Sequence, residues 1–392
     1  MDTTEYLDTE SVVASKALKL ARLLVSSKKV VCFTGAGIST SSGIPDYRSG
    51  YNTILSTGPG AWESEENKKK FTKEKLRVEA IKAIPSKTHM ALYELVSRGY
   101  INHIITQNVD GLHRKSGIPE DKLTELHGGT NKEVCLECHK EYLRDFRVRN
   151  YQNPESEHKT LRKCTNCGSD LYDTVVYFNQ PLRAVDKARA LHEAETSDLC
   201  LVLGSSLKVA PASRYPSKFI NNPDKKLAII NLQKTHLDKS CDLRIGALTD
   251  HVLELVMAKI GIPIPEFTVK RWLSFQISCA YDSSSILTIK NYNKEMLEFS
   301  VFKSIVVEAN IDNSVTVVEL NEEPFEFRFK GNLISLKCHM RFFGNKDEKD
   351  LSMEAEDWGP LWDSLTQGRE IIVHGEYCLN NKNWDLLEAR AL

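Results

Sequence analysis

The chain has 392 residues, and its 52 basic side chains almost balance its 53 acidic ones. This length is sufficient for two or three domains with a substantial buried core. The near-neutral balance gives no overall field that would favour nucleic acid or a membrane surface. No apolar run of about 18 residues occurs, and the N-terminus has no cleavable apolar segment. We therefore expect a soluble intracellular protein without membrane contact, whose ten cysteines are reduced thiols or metal ligands.

Helices and short apolar strands alternate in the first two thirds of the chain. An amphipathic helix is predicted around residues 11–26, before the strand "KVVCFTG". The segment "HMALYELVSRG" precedes the strand "INHIITQN", and "SDLCLVLGSSL" and "KLAIINLQ" are two further apolar runs. This alternation predicts an α/β fold with a Rossmann-like, doubly wound parallel sheet. Ligands bind beyond the carboxyl ends of such strands, so the polar clusters there should converge on one crevice.

The loop after the first strand, "GAGISTSSGIPDYRSG", is rich in glycine and serine. Gly35 and Gly37 lack side chains that would keep an anion away from backbone N–H groups, which favours a dinucleotide. Thr40 stands where the common G-x-G-x-x-G fingerprint has its third glycine. The glycines alone therefore indicate a nucleotide only weakly.

Two C-x-x-C pairs lie between the second and third of these apolar strands. The pairs are Cys135 with Cys138 and Cys164 with Cys167. Four thiolates close a tetrahedral Zn²⁺ site and leave no position for substrate or water, so the spacing predicts a structural zinc ion. The alternative is four cysteines without metal.

Several motifs occur in the order found in one family. "GAGISTSSGIPDYR", "TQNVDGLH", "LHG", the cysteine pairs, "LGSSLKV" and "IINLQ" together resemble the sirtuins (Sir2 family), the NAD-dependent protein deacylases. "STGPGAW" and "NLQ" are most similar to the nuclear class IV sirtuins. The resemblance implies a catalytic domain over residues 10–262, with a zinc module inserted at about residues 128–175.

The resemblance also implies a reaction and its catalytic residues. Sirtuins cleave the nicotinamide–ribose bond of NAD with the acyl oxygen of a modified lysine as nucleophile, and yield nicotinamide, O-acyl-ADP-ribose and free lysine. His127 in "ELHGG" matches the catalytic base that deprotonates a ribose hydroxyl, a task that suits a neutral imidazole. Asn108 and Asp110 match positions that steer the reacting ribose and bind the nicotinamide carboxamide. Without the motif order, a histidine beside two glycines would be read as a loop surface residue.

The cofactor residues are likewise implied by the resemblance. Arg48 provides a cation near the diphosphate, Ser205 and Ser206 bond phosphate, and Asn231 holds the adenosine ribose. Tyr47 stands where most of the family has phenylalanine. The complete predicted set of NAD contacts is Gly35, Ala36, Gly37, Asp46, Tyr47, Arg48, Gln107, Asn108, Val109, Asp110, Gly204, Ser205, Ser206, Asn231, Leu232 and Gln233.

The segment "DTVVYFNQPL" departs from the family pattern Val-x-Phe-Gly-Glu by losing the glycine and the acid. Val176 and Phe178 would still line an apolar tunnel for the acylated lysine. Leu207 and Val209 lie in "SLKVAP", where a substrate peptide such as a histone tail could add as a strand. Whether acetyl or longer acyl groups are preferred stays open.

The pattern changes after "GIPIPEF". Segments such as "FTVKRWLSFQI" and "FEFRFKG" alternate apolar and polar residues, which is typical of antiparallel strands. Residues 266–392 are predicted to form a separate β-rich, sandwich-like domain, which we interpret as a partner or targeting module. Catalysis would then survive a cut after Ile264. In the alternative interpretation, the sheet packs over the cofactor crevice and regulates it.

Three functions stay open at this point. The first is NAD-dependent removal of acyl groups from protein lysine, with histone tails as the expected substrate. The second is mono-ADP-ribosyl transfer or NAD hydrolysis in the same crevice, and the third is a non-catalytic chromatin adaptor. We expect a nuclear location, with the cytoplasm as the alternative. The basic run at residues 67–77 is an import signal, a nucleic-acid patch or a solvated helix face.

Overall fold

The structure is a computed structural model that divides the chain into two compact units. The first unit comprises Met1–Thr130 and Thr174–Glu266, and the second comprises Asn131–Asp173 and Phe267–Leu392. The second unit thus groups the region of the predicted zinc module with the predicted C-terminal domain. The residues described are 3–70, 78–149, 158–292, 299–344, 348–354 and 361–392.

The strands and helices follow the predicted alternation. The strands are β1 Val30–Thr34, β2 His103–Thr106, β3 Leu123–Glu125, β4 Lys132–Cys135, β5 Glu141–Arg144, β6 Lys159–Lys163, β7 Asp170–Asp173, β8 Leu199–Leu203, β9 Lys226–Ile230, β10 Leu243–Ile245, β11 Val269–Cys279, β12 Ser285–Tyr292, β13 Phe299–Ser300, β14 Phe302–Ile311, β15 Ser314–Leu320, β16 Phe325–Phe329, β17 Leu333–Phe342, β18 Leu351–Glu354, β19 Ile371–Cys378 and β20 Asn383–Ala391. The α-helices are α1 Glu10–Ser26, α2 Glu65–Lys70, α3 Lys87–Ser97, α4 Leu112–Lys115, α5 Ala184–Thr196, α6 Thr249–Ile260 and α7 Leu361–Thr366.

The first unit is built on a six-stranded sheet with the order β10-β9-β8-β1-β2-β3. Every neighbouring pair in this sheet is parallel, which confirms the predicted Rossmann-like core. Val30 and Cys32 pack into one core with α1, α3 and α6, whereas Val31 and Phe33 pack into another with α5. Burial on both faces explains why these strands are continuous apolar runs rather than alternating ones.

All six strands of this sheet end in one row, and the sixth is β10, whose last residue Ile245 is in register with Ile230 of β9. Thr34, the last residue of β1, is in register with Thr106 of β2 and with Leu203 of β8. Leu203 is in register with Ile230 of β9, and Thr106 with Glu125 of β3. The strand order reverses at β1, which has β2 on one side and β8 on the other. The polar loops that follow these strands therefore start at one edge of the sheet, at its topological switch point.

The second unit contains three sheets. The zinc module has the order β13-β5-β4-β7-β6, and the C-terminal region has β16-β12-β11-β19-β20 and β15-β14-β17-β18. The two C-terminal sheets share one apolar core, as in a sandwich. Phe325, Phe327 and Phe329 of β16 all contribute to that core, as their alternation predicted. The β-rich character predicted for residues 266–392 is confirmed.

Two further facts concern the helices. Among the described residues, the helices are all too short or too polar to cross a bilayer. Helix α2 carries the start of the basic run, with Lys68, Lys69 and Lys70 in its last turn. The rest of that run, residues 71–77, lies outside the described residues.

Candidate active site

His127 follows β3 by two residues and lies at the row of strand ends. Its Nδ1 is 2.9 Å from the backbone oxygen of Gln107, the residue that follows β2. A carbonyl oxygen only accepts, so Nδ1 carries the proton and Nε2 keeps a lone pair. The backbone of Val176 donates to the His127 oxygen at 2.9 Å. The ring is thus oriented with a basic nitrogen on the side away from Gln107.

The chain beside this histidine requires glycine. Gly128 has a φ of +71°, and a Cβ there would lie 1.8 Å from the backbone oxygen of Thr174.

Burial lowers the pKa of His127, and the hydrogen bond to Gln107 opposes that shift only in part. The imidazole is consequently neutral at physiological pH, as a general base must be.

Asp110 and Asn108 are fixed by the first loop. Ser39 Oγ donates to Asp110 Oδ2 at 2.7 Å, and the backbone of Leu112 donates to Oδ1 at 3.0 Å. Asn108 Nδ2 donates to the backbone oxygen of Gly35 at 3.1 Å. Burial raises the pKa of Asp110, while these donated hydrogen bonds act in the opposite direction. Ser39 was not predicted as a site residue, although it lies in the quoted glycine-rich loop.

The glycines of the first and third loops pack backbone against backbone. A Cβ on Gly37 would lie 2.7 Å from Gly204 Cα, and one on Gly35 would lie 2.8 Å from the Gly204 oxygen. The N–H groups of Gly35 and Gly37 donate to Leu203 and Gly204 oxygens at 3.0 and 2.9 Å. These two glycines thus allow close approach of β1 and β8, a role different from the open N–H donors that the sequence suggested.

The remaining loops are joined by side-chain hydrogen bonds. Gln107 Nε2 donates to Ser205 Oγ at 2.7 Å, which connects the ends of β2 and β8. Asn231 Nδ2 donates to the Gln233 oxygen at 2.8 Å. Gln233 Nε2 in turn donates to the Arg48 oxygen at 3.1 Å. The polar loops after β1, β2, β8 and β9 are therefore brought together, as predicted. The other predicted contacts, Ala36, Val109, Ser206 and Leu232, lie on the same loops.

Arg48 lies beside an aromatic side chain that the sequence analysis missed. Its guanidinium carbon is 4.3 Å from the Trp62 ring centroid, and Tyr47 is 5.0 Å from the same ring. Arg48 Nε is buried and has no hydrogen-bond partner among the described residues. A buried guanidinium donor left without an acceptor fits an anionic ligand such as the NAD diphosphate. Trp62 lies in the quoted "STGPGAW" motif, which is where the signal for it was.

The loop that carries Arg48 is held at two points. Asp46 accepts from the backbone and hydroxyl of Ser49 at 3.1 and 2.7 Å. Glu5 accepts from Thr53 Oγ1 at 2.5 Å and from the backbone of Ile54 at 3.0 Å. The N-terminal segment thus braces the cofactor loop, a contact with no local sequence signal.

The predicted substrate residues are placed differently from one another. Phe178 is 70% exposed, and its ring centroid is 5.5 Å from that of Trp62. Val176 and Val209 are half-buried. Leu207 is 1% exposed and belongs to the core beneath the sheet. Leu207 is therefore buried as a whole, with its N–H donated to Ser205 Oγ at 3.2 Å, and its side chain supports the fold.

The four cysteines form one cluster in the second unit. Their sulfur atoms all lie within 4.8 Å of one another, with 3.4 Å between Cys135 and Cys167 and 3.5 Å between Cys138 and Cys164. Zn–S bonds of about 2.3 Å in a tetrahedron place sulfurs about 3.8 Å apart. The separation excludes disulfides, whose sulfurs are about 2.05 Å apart. The donor set fits a structural zinc ion.

Comparison with known proteins identifies the family. The Sir2 family profile matches residues 35–211. The NAD-dependent protein deacetylase SRT1 of Arabidopsis thaliana is 37% identical over 331 residues, which is 82% of this chain and 66% of that protein. SRT1 of Oryza sativa subsp. indica is 35% identical over 379 residues, 94% of this chain and 75% of that protein.

Two further matches are a relative from an insect and a solved structure. The NAD-dependent protein deacetylase Sirt6 of Drosophila melanogaster is 36% identical over 275 residues, which cover 67% of this chain and 81% of that protein. The solved structure described as "Sir2-p53 peptide-NAD+" is 30% identical, with a TM-score of 0.46, and covers 62% of this chain and 98% of its own. On the extent and identity of the sequence matches, the chain belongs to the Sir2 family, the sirtuins.

Proposed function

We propose that this protein removes acyl groups from protein lysine and consumes NAD in the reaction. The reactants are NAD, acyl-lysine and one water, and the products are nicotinamide, O-acyl-ADP-ribose and free lysine. The observation that carries the proposal is the orientation of His127, whose Nδ1 is 2.9 Å from the Gln107 oxygen and whose Nε2 is the basic nitrogen. The names of the relatives, NAD-dependent protein deacetylases, support the same reaction.

Each side chain of the crevice has a distinct task in this reaction. NAD supplies the ribose carbon that is attacked and the nicotinamide that leaves. Arg48 binds the diphosphate through its unpartnered Nε. Asp110 accepts from the carboxamide, and Asn108 orients the reacting ribose. His127 takes a proton from a ribose hydroxyl at Nε2, so that the hydroxyl oxygen becomes nucleophilic.

The substrate is an acylated lysine in an extended peptide, and histone tails are our proposed source. Val176, beside His127, and Phe178, beside Trp62, are the proposed apolar walls for the acyl-lysine chain. The segment of the exposed Lys208 and the half-buried Val209 is the proposed edge for peptide pairing. Backbone pairing tolerates many sequences, which suits disordered tails.

We further propose a nuclear location and a chromatin or protein partner for the C-terminal domain, with the cytoplasm as the alternative location. The lysines at the end of α2 support an import signal. A fluorescent fusion tests this, with Lys68, Lys69 and Lys70 all replaced by glutamine. We expect nuclear fluorescence for the unchanged fusion and loss of nuclear fluorescence after the replacement. Cytoplasmic fluorescence of the unchanged fusion contradicts the proposal.

The reaction is tested with purified protein, NAD and an acetyl-lysine peptide. Mass spectrometry should show O-acetyl-ADP-ribose, nicotinamide and free peptide in equal amounts. Formation of ADP-ribose or of ADP-ribosylated protein, without loss of the acetyl group, would instead establish hydrolysis or ADP-ribosyl transfer. NAD binding without any turnover would favour the adaptor function.

A further inference from the structure

A strand from the C-terminal region completes the sheet of the zinc module. β13 pairs in parallel with β5, with Phe299 opposite Leu143 and Ser300 opposite Arg144. The backbone of Asp145 donates to the Ser300 oxygen at 2.7 Å, which extends the contact by one residue. The outer edge of the zinc module is therefore covered by a strand that lies more than a hundred residues further along the chain.

A buried ion pair joins the two regions next to this edge. Arg271 of β11 is 3% exposed, and its Nη2 is 2.8 Å from Asp145 Oδ2 of the zinc module. The same nitrogen is 2.9 Å from Glu348 Oε2. Asp145 is itself 5% exposed. A buried charge that loses its partner is strongly destabilising, so Asp145 depends on Arg271, whereas Arg271 also has Glu348 as a partner within the C-terminal region.

A second arginine, Arg144, contacts both the zinc module and the C-terminal region. Arg144 of the zinc module donates from Nε to Glu133 Oε1 at 2.7 Å, within the module. Its Nη1 donates to Ser300 Oγ at 2.7 Å and to Glu323 Oε2 at 2.8 Å, both in the C-terminal region. Glu133 is fully buried on β4, two residues before the zinc ligand Cys135. The contact with the C-terminal region thus continues to the strand that carries a zinc ligand.

Over its described residues, 131–149 and 158–173, the zinc module has little apolar core of its own. Its buried apolar cluster consists of Cys135, Tyr142, Cys164 and Leu171, and two of these are zinc ligands. Small modules of this kind need a metal or an external support, because their own burial does not offset the entropy of ordering the chain. Phe146 adds a ring contact to Phe343 of the C-terminal region, with centroids 5.0 Å apart.

We propose that the C-terminal β domain is the structural support of the zinc module, and that the two fold as one unit which retains zinc. The strand pairing, the Arg271–Asp145 pair and the Arg144 contacts are the means of support. The domain is then not a dispensable attachment. A cut after Ile264 leaves the module with an uncovered sheet edge and with Asp145 unpaired, so we expect weakened zinc binding rather than the unchanged fragment that the sequence favoured.

The first test cleaves the folded protein without removing either part. A specific protease site is inserted between Pro265 and Glu266, in the linker between α6 and β11. After cleavage, we expect the two fragments to elute together in gel filtration at low micromolar concentration. Arg271→Met should make the cleaved fragments separate. Separation of the cleaved fragments without any substitution would overturn the proposal.

The second test measures zinc transfer to a chromogenic chelator in the uncleaved protein. We expect Arg271→Met and Asp145→Asn, one change on each side, to accelerate zinc release at least tenfold. Phe343→Ala removes the ring contact with Phe146 without leaving a buried charge unpaired, so it should accelerate zinc release by a smaller factor. This variant replaces the charge variants in the test if they fail to fold. Arg328→Met is the matched control, because this arginine is 59% exposed and its contact with Asp282 is also exposed.

The rate of zinc release from the interface variants is compared with that from Arg328→Met. Arg328→Met should release zinc at the rate of the unchanged protein, because exposed ion pairs contribute little. Faster release in the interface variants, with the control unchanged, supports the proposal. Equal release rates in Phe343→Ala, in any folded charge variant and in Arg328→Met would overturn it. Neither readout depends on catalytic turnover, so the result is independent of the proposed function.

Discussion

His127 is the residue on which the proposed chemistry depends. Its identity could be predicted from the short motif "ELHGG" and its place in the motif order. Its tautomer could not, because the partner that fixes it is the backbone oxygen of Gln107, which follows another strand and lies 20 residues earlier. The same limit applies to Ser39 and Trp62. Both lie in quoted motifs, but only the fold shows that Ser39 contacts Asp110 and that Trp62 contacts Arg48.

Replacing His127 tests the assignment of the base. His127→Ala should lower kcat for deacylation by at least about a hundredfold, the lower end of what a general base contributes. Zinc content and melting temperature should stay unchanged. His192→Ala removes an exposed histidine of α5 and should leave turnover unchanged. Near-normal turnover in His127→Ala would exclude the assignment.

The pH dependence follows from the direction of the pKa shift. Burial lowers the pKa of His127 below its usual 6.5. The neutral ring is the active form, so activity is fully present above this lowered pKa and is lost as the pH falls through it. The acid limb of kcat/KM should therefore have its midpoint below pH 6.5. A midpoint above pH 6.5, measured under zinc-retaining conditions, would contradict a buried neutral base.

At the scale of elements, the apolar runs were sufficient to predict the parallel strands, and the cysteine spacing was sufficient to predict the cluster of four cysteines. Strand register was not predictable, because all residues of β1 are buried and no alternation marks a face. Register is what aligns the six strand ends and thus assembles the crevice. The brace from Glu5 to the cofactor loop also escaped prediction, since its partner Thr53 is distant in sequence.

The N-terminal brace gives a prediction for NAD binding. Glu5→Ala removes the acceptor for Thr53 Oγ1 and for the Ile54 N–H. The KM for NAD should rise by up to about thirtyfold, since about 1 kcal/mol is lost for each of the two hydrogen bonds, whereas kcat changes little. Glu10→Ala is the control, because that carboxylate is 84% exposed. Equal steady-state kinetics for the two variants would refute the brace.

Loss of one zinc ligand should affect stability first. Cys138→Ser leaves three thiolates, so zinc binding weakens and its contribution to folding is reduced. The melting temperature should fall by more than about 5 °C, which corresponds to about 2 kcal/mol for a domain of this size. Cys279→Ser changes an exposed cysteine outside the cluster and should have no such effect. Absence of zinc in the purified protein, or selective loss of turnover at full stability, would contradict the structural role.

At the scale of the whole molecule, the sequence predicted both regions but not how the chain is shared between them. The change to alternating strands after residue 266 was visible in the sequence. The pairing of β13 with β5 was not, because long-range strand pairs leave no local periodicity. As a result, the zinc module is grouped with the C-terminal strands in one unit, while the crevice residues all lie in the other.

The central claim is that the crevice couples NAD cleavage to lysine deacylation, and an oxygen label tests it most directly. The peptide carries ¹⁸O in its acetyl carbonyl, the water is unlabelled, and the reaction is quenched early. If the acyl oxygen attacks the ribose, the label must appear in the nucleotide product, O-acetyl-ADP-ribose. A labelled nucleotide is the result that we predict. An unlabelled nucleotide, formed at the same rate as nicotinamide, would mean that water attacks the ribose and would contradict the account.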